Sequence, residues 1–341
     1  MSYRIPARVS SNLNLLKDRL LKAQGTPAQF NGLNLQQPGR SGEPSIDETR
    51  SLATLERMRI FNEQRQLQRQ AIGRVQKIEV KVVDCKPHPD TTMLMNKQLS
   101  TPLDCARHLS ELFTVRSVIA RVDGQIWDMT RPLEQDCTLT FHHFNDEDTR
   151  EVNKAFWRSC SLLLGKVISL SFKSDVPFHL HSWPKPDIRS GCFIYDVQLP
   201  TLDDWRPNEG ELLTLTRTFW SLQSRQLPFE RLEVPVQIAA DLFKENPFKV
   251  QQLESIREKN SAANVTLYRV GQFIDFSIGP MIPHTGILGK VNVTAVHQVN
   301  ASCGKLYRFQ GCALPSQLPM HFYAYKILTD RAKKLSALPI P

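Results

Sequence analysis

Nine histidines, seven cysteines and a few carboxylate pairs are the groups in this 341-residue chain whose types could carry acid–base, metal or nucleophilic chemistry. The cysteines stand at 85, 105, 137, 160, 192, 303 and 312, and no two form a Cys-x-x-Cys pair. A zinc ribbon or thiol–disulfide motif needs that spacing, so the seven read as reduced thiols, most of them packed in cores. His179-Leu180-His181 would place two imidazoles on one face of a strand, half of a metal site, but no spaced Cys or carboxylate completes it. His142-His143 would point to opposite faces of an extended chain, which disfavours chelation. Gly286-Ile287-Leu288-Gly289-Lys290 has the wrong glycine spacing for a phosphate loop, and Val291 replaces the required hydroxyl. Ser159-Cys160 has no matched base near it and reads as packing. Asp146-Glu147-Asp148 and Asp203-Asp204 read as solvated loops. The expectation is therefore no metal, no cofactor and no small-molecule substrate.

Arginine is the residue type that does stand out. Residues 1–76 hold 12 Lys/Arg and 6 Asp/Glu, a net of +6, whereas the remaining chain holds 31 and 28, a net of +3. Between 47 and 76 every basic residue is Arg: Arg50, Arg57, Arg59, Arg65, Arg69 and Arg74. The guanidinium fork donates two hydrogen bonds to one phosphate, so these six, with Lys333 and Lys334 near the other end, are the candidates for RNA contact. The competing reading is an ordinary solvated helix. No apolar run approaches about 18 residues, which argues against a membrane span.

The elements that must position these groups follow from periodicity. Residues 1–46 read as a transit peptide and linker, expected to be disordered: Arg4, Arg8, Lys17, Arg19 and Lys22 face a single acid, Asp18, among Leu and Ser, and Gly, Pro, Gln and Asn follow. Residues 47–76 read as a basic helical arm, with Asp47 and Glu48 in its first turn and Leu52, Leu55 and Met58 on its apolar face. Residues 77–144 read as a hairpin, one helix over 102–112 with Leu103, Ala106, Leu109 and Leu112 inward, and further strands at 118–122, 125–129 and 138–144. That order suggests a ubiquitin-like β-grasp. Residues 145–341 read as an α+β domain. Its helices are predicted at 151–170, 209–224, 239–243 and 319–336, and its strands at 191–199, 232–236, 265–270, 273–276, 291–299 and 306–311.

The stretches "MNKQLSTPLDCARHLS" from Met95 and "ARVDGQIWDMTRPL" from Ala120 resemble the TGS domain of threonyl-tRNA synthetases. "WRSCSLLLG" from Trp157, "GCFIYDVQL" from Gly191, "SIGPMIP" from Ser277 and "YRFQG" from Tyr307 resemble the editing domain that follows TGS in those enzymes. The resemblance implies a β-grasp TGS domain, then an editing-like α+β domain, with the helical arm ahead of both. In the enzymes the first motif carries His-x-x-x-His and the third Cys-x-x-x-His, four residues that line the pocket hydrolysing mischarged seryl-tRNA. The matching positions here are Arg158, Leu162, Ser277 and Met281. None is an imidazole or a thiol; Leu and Met transfer no protons, and Arg holds its proton too tightly to be a base. The chain also stops at Pro341, where the resemblance would place the aminoacylation core, so aminoacylation is not expected.

"EVNKAFWRSC", "VDGQIWDM", "NKQLSTP" and "RFQG" further resemble a family of mitochondrial large-ribosomal-subunit proteins that look like synthetase paralogues, over about residues 48–336. That resemblance implies a non-catalytic component of the large subunit in the mitochondrial matrix, with ribosomal RNA and other large-subunit proteins as partners and no membrane. The alternative is a freestanding trans-editing hydrolase with a rebuilt site, for which His284 and His179 would have to converge with a carboxylate.

Overall fold

A computed structural model describes residues 52–86, 88–173, 176–260 and 263–340. The transit-peptide and linker reading of 1–46, the first-turn acids Asp47 and Glu48, and Arg50 lie outside the described residues. The described residues belong to one compact unit.

The apolar alternation at Ile78, Val80 and Val82 makes β1 (Lys77–Val82) a strand with one buried face. It pairs antiparallel with β2 (Thr91–Asn96) and parallel with β5 (Cys137–His142). β3 (Ile119–Val122) and β4 (Gln125–Asp128) complete a five-stranded sheet in the order β2-β1-β5-β3-β4. The β3–β4 hairpin turns on Asp123 (φ 47°) and Gly124 (φ 81°), both left-handed, as a two-residue turn matched to strand twist requires. The helix expected over 102–112 is two helices, α2 (Pro102–Leu109) and α3 (Glu111–Arg116). Ser110 is extended between them, closing α2 with its N–H and capping α3 at Phe113 N with its side chain. Pro102, Cys105, Ala106 and Phe113 face the core, and Leu112 is 56% exposed. A capping serine won over apolar spacing here.

The second half carries α4 (Arg150–Ser171), β6 (His179–Ser182), β7 (Phe193–Gln198), α5 (Glu209–Ser224), β8 (Glu230–Pro235), α6 (Val236–Leu242) and α7 (Pro247–Lys259). Then come β9 (Asn264–Val270), β10 (Phe273–Phe276), β11 (Leu288–Ala301), β12 (Gly304–Pro315) and α8 (Phe322–Ala332). Two antiparallel sheets result, β10-β9-β8 and β11-β12-β7-β6. α4 packs so closely on β7 that a Cβ on Gly165 would come within 2.6 Å of the Tyr195 ring. α7 was not expected from the sequence; only Val250, Leu253 and Ile256 are aliphatic in its 13 residues, although Asn246 caps it and Pro247 opens it. The closing helix is shorter than expected. Residues 333–338 form a strap on β12, because Gln310 donates to the carbonyls of Ala332 and Lys334 and Arg308 to those of Ser336 and Leu338.

The two halves share a core: Val118, Ile119 and Phe144 of the first join Phe156, Leu163 and Tyr195 of the second. Phe144 meets Phe156 edge-on at 5.5 Å.

α1 (Leu52–Ala71) is no free arm. Its Phe61 is fully buried with Leu232, Val234, Leu267 and Ile274, residues of β8, β9 and β10. Phe61→Ala is expected to destabilise the chain by about 3 kcal/mol, the cost of emptying an aromatic core site. Urea unfolding checks the magnitude, and faster tryptic cleavage within 52–71 checks that α1 has loosened.

Candidate functional site

The four positions that the synthetase resemblance singled out fall on α4 and on the loop after β10. Arg158 and Leu162 lie one helical turn apart on α4, and Ser277 and Met281 flank Gly279-Pro280. Arg158 is 6% exposed, Leu162 0% and Met281 1%; Ser277 is half-buried. The first three are packing, so they line no open cleft.

The loop is clamped from both sides. From α4, the Arg158 Nη1 donates to Pro280 O at 3.0 Å, and Ser159 Oγ accepts from Ile282 N at 2.9 Å while donating to Ala155 O at 2.8 Å. From the β-grasp side, Asp128 at the end of β4 accepts from Met281 N at 2.8 Å and from the Tyr268 hydroxyl at 2.9 Å. Arg231 Nε lies 3.6 Å from the same carboxylate. Gly279 has φ +63°, and a Cβ there would sit 2.0 Å from the Tyr268 hydroxyl, so only glycine fits. Burial pushes the Asp128 carboxyl up, against the Met281 N–H, Arg231 and Tyr268, which hold it down. Burial, reinforced by Asp128, pushes the Tyr268 phenol well up, so it stays a donor. The Cys160 thiol is also raised well above its ordinary range by burial, which leaves Ser159-Cys160 without a thiolate.

A second buried polar group escaped the sequence reading. Lys249 Nζ on α7 lies 2.8 Å from Asp275 Oδ1 on β10, and the Tyr195 hydroxyl donates to Asp275 Oδ2 at 2.6 Å. Trp183, Tyr195 and Phe276 surround the ammonium at 5.1, 5.6 and 4.7 Å from their ring centres. Asp275 stands two residues before Ser277, yet nothing in "ENPFKVQQLE" marks Lys249 as buried; the Asn246-Pro247 helix start was the available signal. A third pair, Arg308 with Asp196, is bidentate at 2.8 Å and buried.

One histidine pair is placed differently from the expectation and another as expected. His142 and His143 do not diverge: β5 ends at His142, and the chain turns so that their Nδ1 atoms lie 3.0 and 2.9 Å from the Asp146 carboxylate. Asp146 is thereby a half-buried partner, not solvated surface. His179 and His181 share a face, where both rings meet Phe248 at 6.4 and 4.6 Å. His284 pairs by backbone with Pro228, and its ring borders Gly286 and Gln226. Among the described residues no group of three His, Cys, Asp or Glu could hold a metal ion. A cavity beside Trp157, Ser161, Pro184 and Phe193 offers about 10 Å³, space for about one water.

The arginine candidates divide. Arg57 Nε donates to Leu242 O at 3.1 Å, and Arg65 pairs with Glu230, so both tie α1 to its own chain. Arg59 pairs with Glu56 and Glu63 on the same helix at 2.7 and 2.6 Å. Arg69, Arg74, Lys333 and Lys334 are exposed, with Lys333 2.8 Å from Asp330.

The TGS domain family matches residues 88–143. The chain is 33% identical over 238 residues to threonine--tRNA ligase 2, cytoplasmic, of Bos taurus, covering 69% of this chain and 30% of that ligase. Against the Homo sapiens ligase 2 the figures are 32%, 65% and 26%. The chain thus spans under a third of the length of these ligases. Fold and similarity together define an α+β protein: a β-grasp TGS domain followed by a domain of the threonyl-tRNA synthetase editing type, with a helix ahead of them. The chain is also 40% identical over 294 residues to large ribosomal subunit protein mL39 of Drosophila melanogaster, covering 85% of this chain and 87% of that protein. It belongs to the mL39 family.

Asp128→Ala is expected to cost about 2–4 kcal/mol, because the Tyr268 hydroxyl and the Met281 N–H both lose their acceptor while buried. Asp128→Asn keeps a carbonyl oxygen and is expected to cost less; urea denaturation of the two variants checks the order. A pH effect follows from His181 and His284, whose pKa values burial lowers below the ordinary 6.5. The neutral rings are favoured in the folded state, so their contribution is complete above pH 6.5 and is lost as pH falls through the lowered values. His284 Nδ1 is buried without a hydrogen-bond partner among the described residues. Denaturation midpoints of His284→Gln are expected to fall less steeply below pH 6.5 than those of the wild type.

Proposed function

We propose that the chain is a non-catalytic structural component of the mitochondrial large ribosomal subunit, resident in the matrix and supporting mitochondrial translation. The observation that carries this reading is the four-position substitution: Arg158, Leu162, Ser277 and Met281 stand where the resemblance places two imidazoles, a thiol and a third imidazole. Leu162 and Met281 transfer no proton and polarise no water, and the Arg158 guanidinium holds its proton too tightly to act as a base. The similarity to a large ribosomal subunit protein over most of both chains supports the same conclusion. Ribosomal RNA and neighbouring large-subunit proteins are the proposed partners. Arg69, Arg74 and Lys334 are the favoured phosphate contacts, since Arg57, Arg59, Arg65 and Lys333 are engaged within the chain. The domain division at 47–76, 77–144 and 145–341 goes with this reading, the first segment acting as a brace on the third. No metal or cofactor is proposed.

The test is sedimentation of tagged protein from mitochondrial lysate. Co-migration with the large subunit, lost on magnesium depletion, is expected; free migration near 39 kDa in both conditions refutes the proposal. The purified chain is expected to leave seryl-tRNA(Thr) intact, and turnover abolished by substituting Ser277 would favour the hydrolase instead.

A further inference from the structure

α8 is anchored by one side only. Tyr325 and Ala332 are buried against Cys192, Ile194 and Cys312, and the Tyr325 hydroxyl donates to Asn292 Oδ1 at 2.9 Å. The opposite side presents Phe322 at 66% exposure, Tyr323 at 71% and Ile327 at 70%. About two thirds of each of these side chains is left in water, an apolar surface in need of a partner. The rings are arranged among themselves: His321 and Tyr323 lie 5.5 Å apart at 30°, and Phe322 meets Tyr323 edge-on at 5.8 Å.

The charges around them are mostly of one sign. Lys326 is exposed within this face, Lys333, Lys334 and Arg331 follow at its C-terminal end, and Lys290 approaches from β11 with its Nζ 2.6 Å from Met320 O. Asp330 is the one carboxylate on α8, and it is taken by Lys333 at 2.8 Å. A purely apolar protein groove would have to desolvate Lys326 without a counter-charge. A single strand of RNA satisfies both features at once, with unpaired bases stacking on the rings and phosphates meeting the ammonium groups. A duplex offers no free base faces.

We propose that the outer face of α8, centred on Phe322, Tyr323 and Lys326, is a stacking surface for single-stranded RNA. The proposal rests on the ribosomal reading above and names the RNA form that one surface takes. The experiment uses the full chain and a labelled single-stranded RNA of about 12 nucleotides, with an RNA duplex as comparison. Binding is expected for the single strand and weaker for the duplex. Phe322→Ala with Tyr323→Ala is expected to weaken single-strand binding by about 10-fold or more, and Tyr323→Trp to retain it. Lys326→Gln is expected to lower the slope of log affinity against log salt by about 0.7, one phosphate's worth. Ile327→Lys is expected to bind RNA as tightly as the wild type or more tightly. Equal affinity for duplex and single strand, or no effect of removing both rings, overturns the proposal. So does loss of co-sedimentation in Ile327→Lys with RNA binding intact, which would assign the face to a protein neighbour. Failure of the wild-type chain to sediment with the large subunit refutes the ribosomal reading separately from these outcomes.

Discussion

Beside the shared apolar core, one buried carboxylate ties the two halves of this molecule together. Asp128 closes the last strand of the β-grasp sheet, and its oxygens are consumed by the Met281 amide and the Tyr268 phenol of the second domain. Its burial is costly, and the cost is offset only while both donors and Arg231 remain in place. The same bonds hold the 277–282 loop against α4, where Arg158 and Ser159 grip it from the other side. Domain docking and loop conformation are therefore one constraint. Neither half can shift without leaving a buried donor unpaired.

That constraint also fixes the packing around residues 158, 162, 277 and 281. Here Leu162 and Met281 fill space, and the Arg158 guanidinium takes up a loop carbonyl. Deeper in the fold, Lys249, Asp275 and Tyr195 form a paired group inside an aromatic enclosure, and Arg308 with Asp196 anchors the C-terminal strap. Such buried pairs are poor sources of net stability; the first ties α7 to β10 and the second β12 to β7.

Legibility from sequence varied with how local the deciding interaction was. β1 was plain because its alternation repeats within six residues, and α4 because its apolar positions recur at helical spacing. The break at Ser110 was hidden because a serine can sit inside a helix or cap the next one, and Cys105, Ala106 and Phe113 competed for the same core. α7 was invisible to periodicity; its caps are local, but its central contact, Lys249 with Asp275, spans 26 residues. Of the site, the four substituted positions were readable from motif spacing, whereas Asp128 and Tyr268 lie 140 residues apart and no local pattern links them.

The residues themselves determined that neither an imidazole nor a thiol stands at 158, 162, 277 or 281, wherever the chain puts them. Strand and helix periods were likewise carried by near neighbours. The tertiary structure alone decided that three of those positions are packing, that Arg57 and Arg65 turn inward to their own chain, and that His142 and His143 meet at one carboxylate. Burial and pairing are properties of distant segments brought together, and a side chain's identity does not state which partner reaches it.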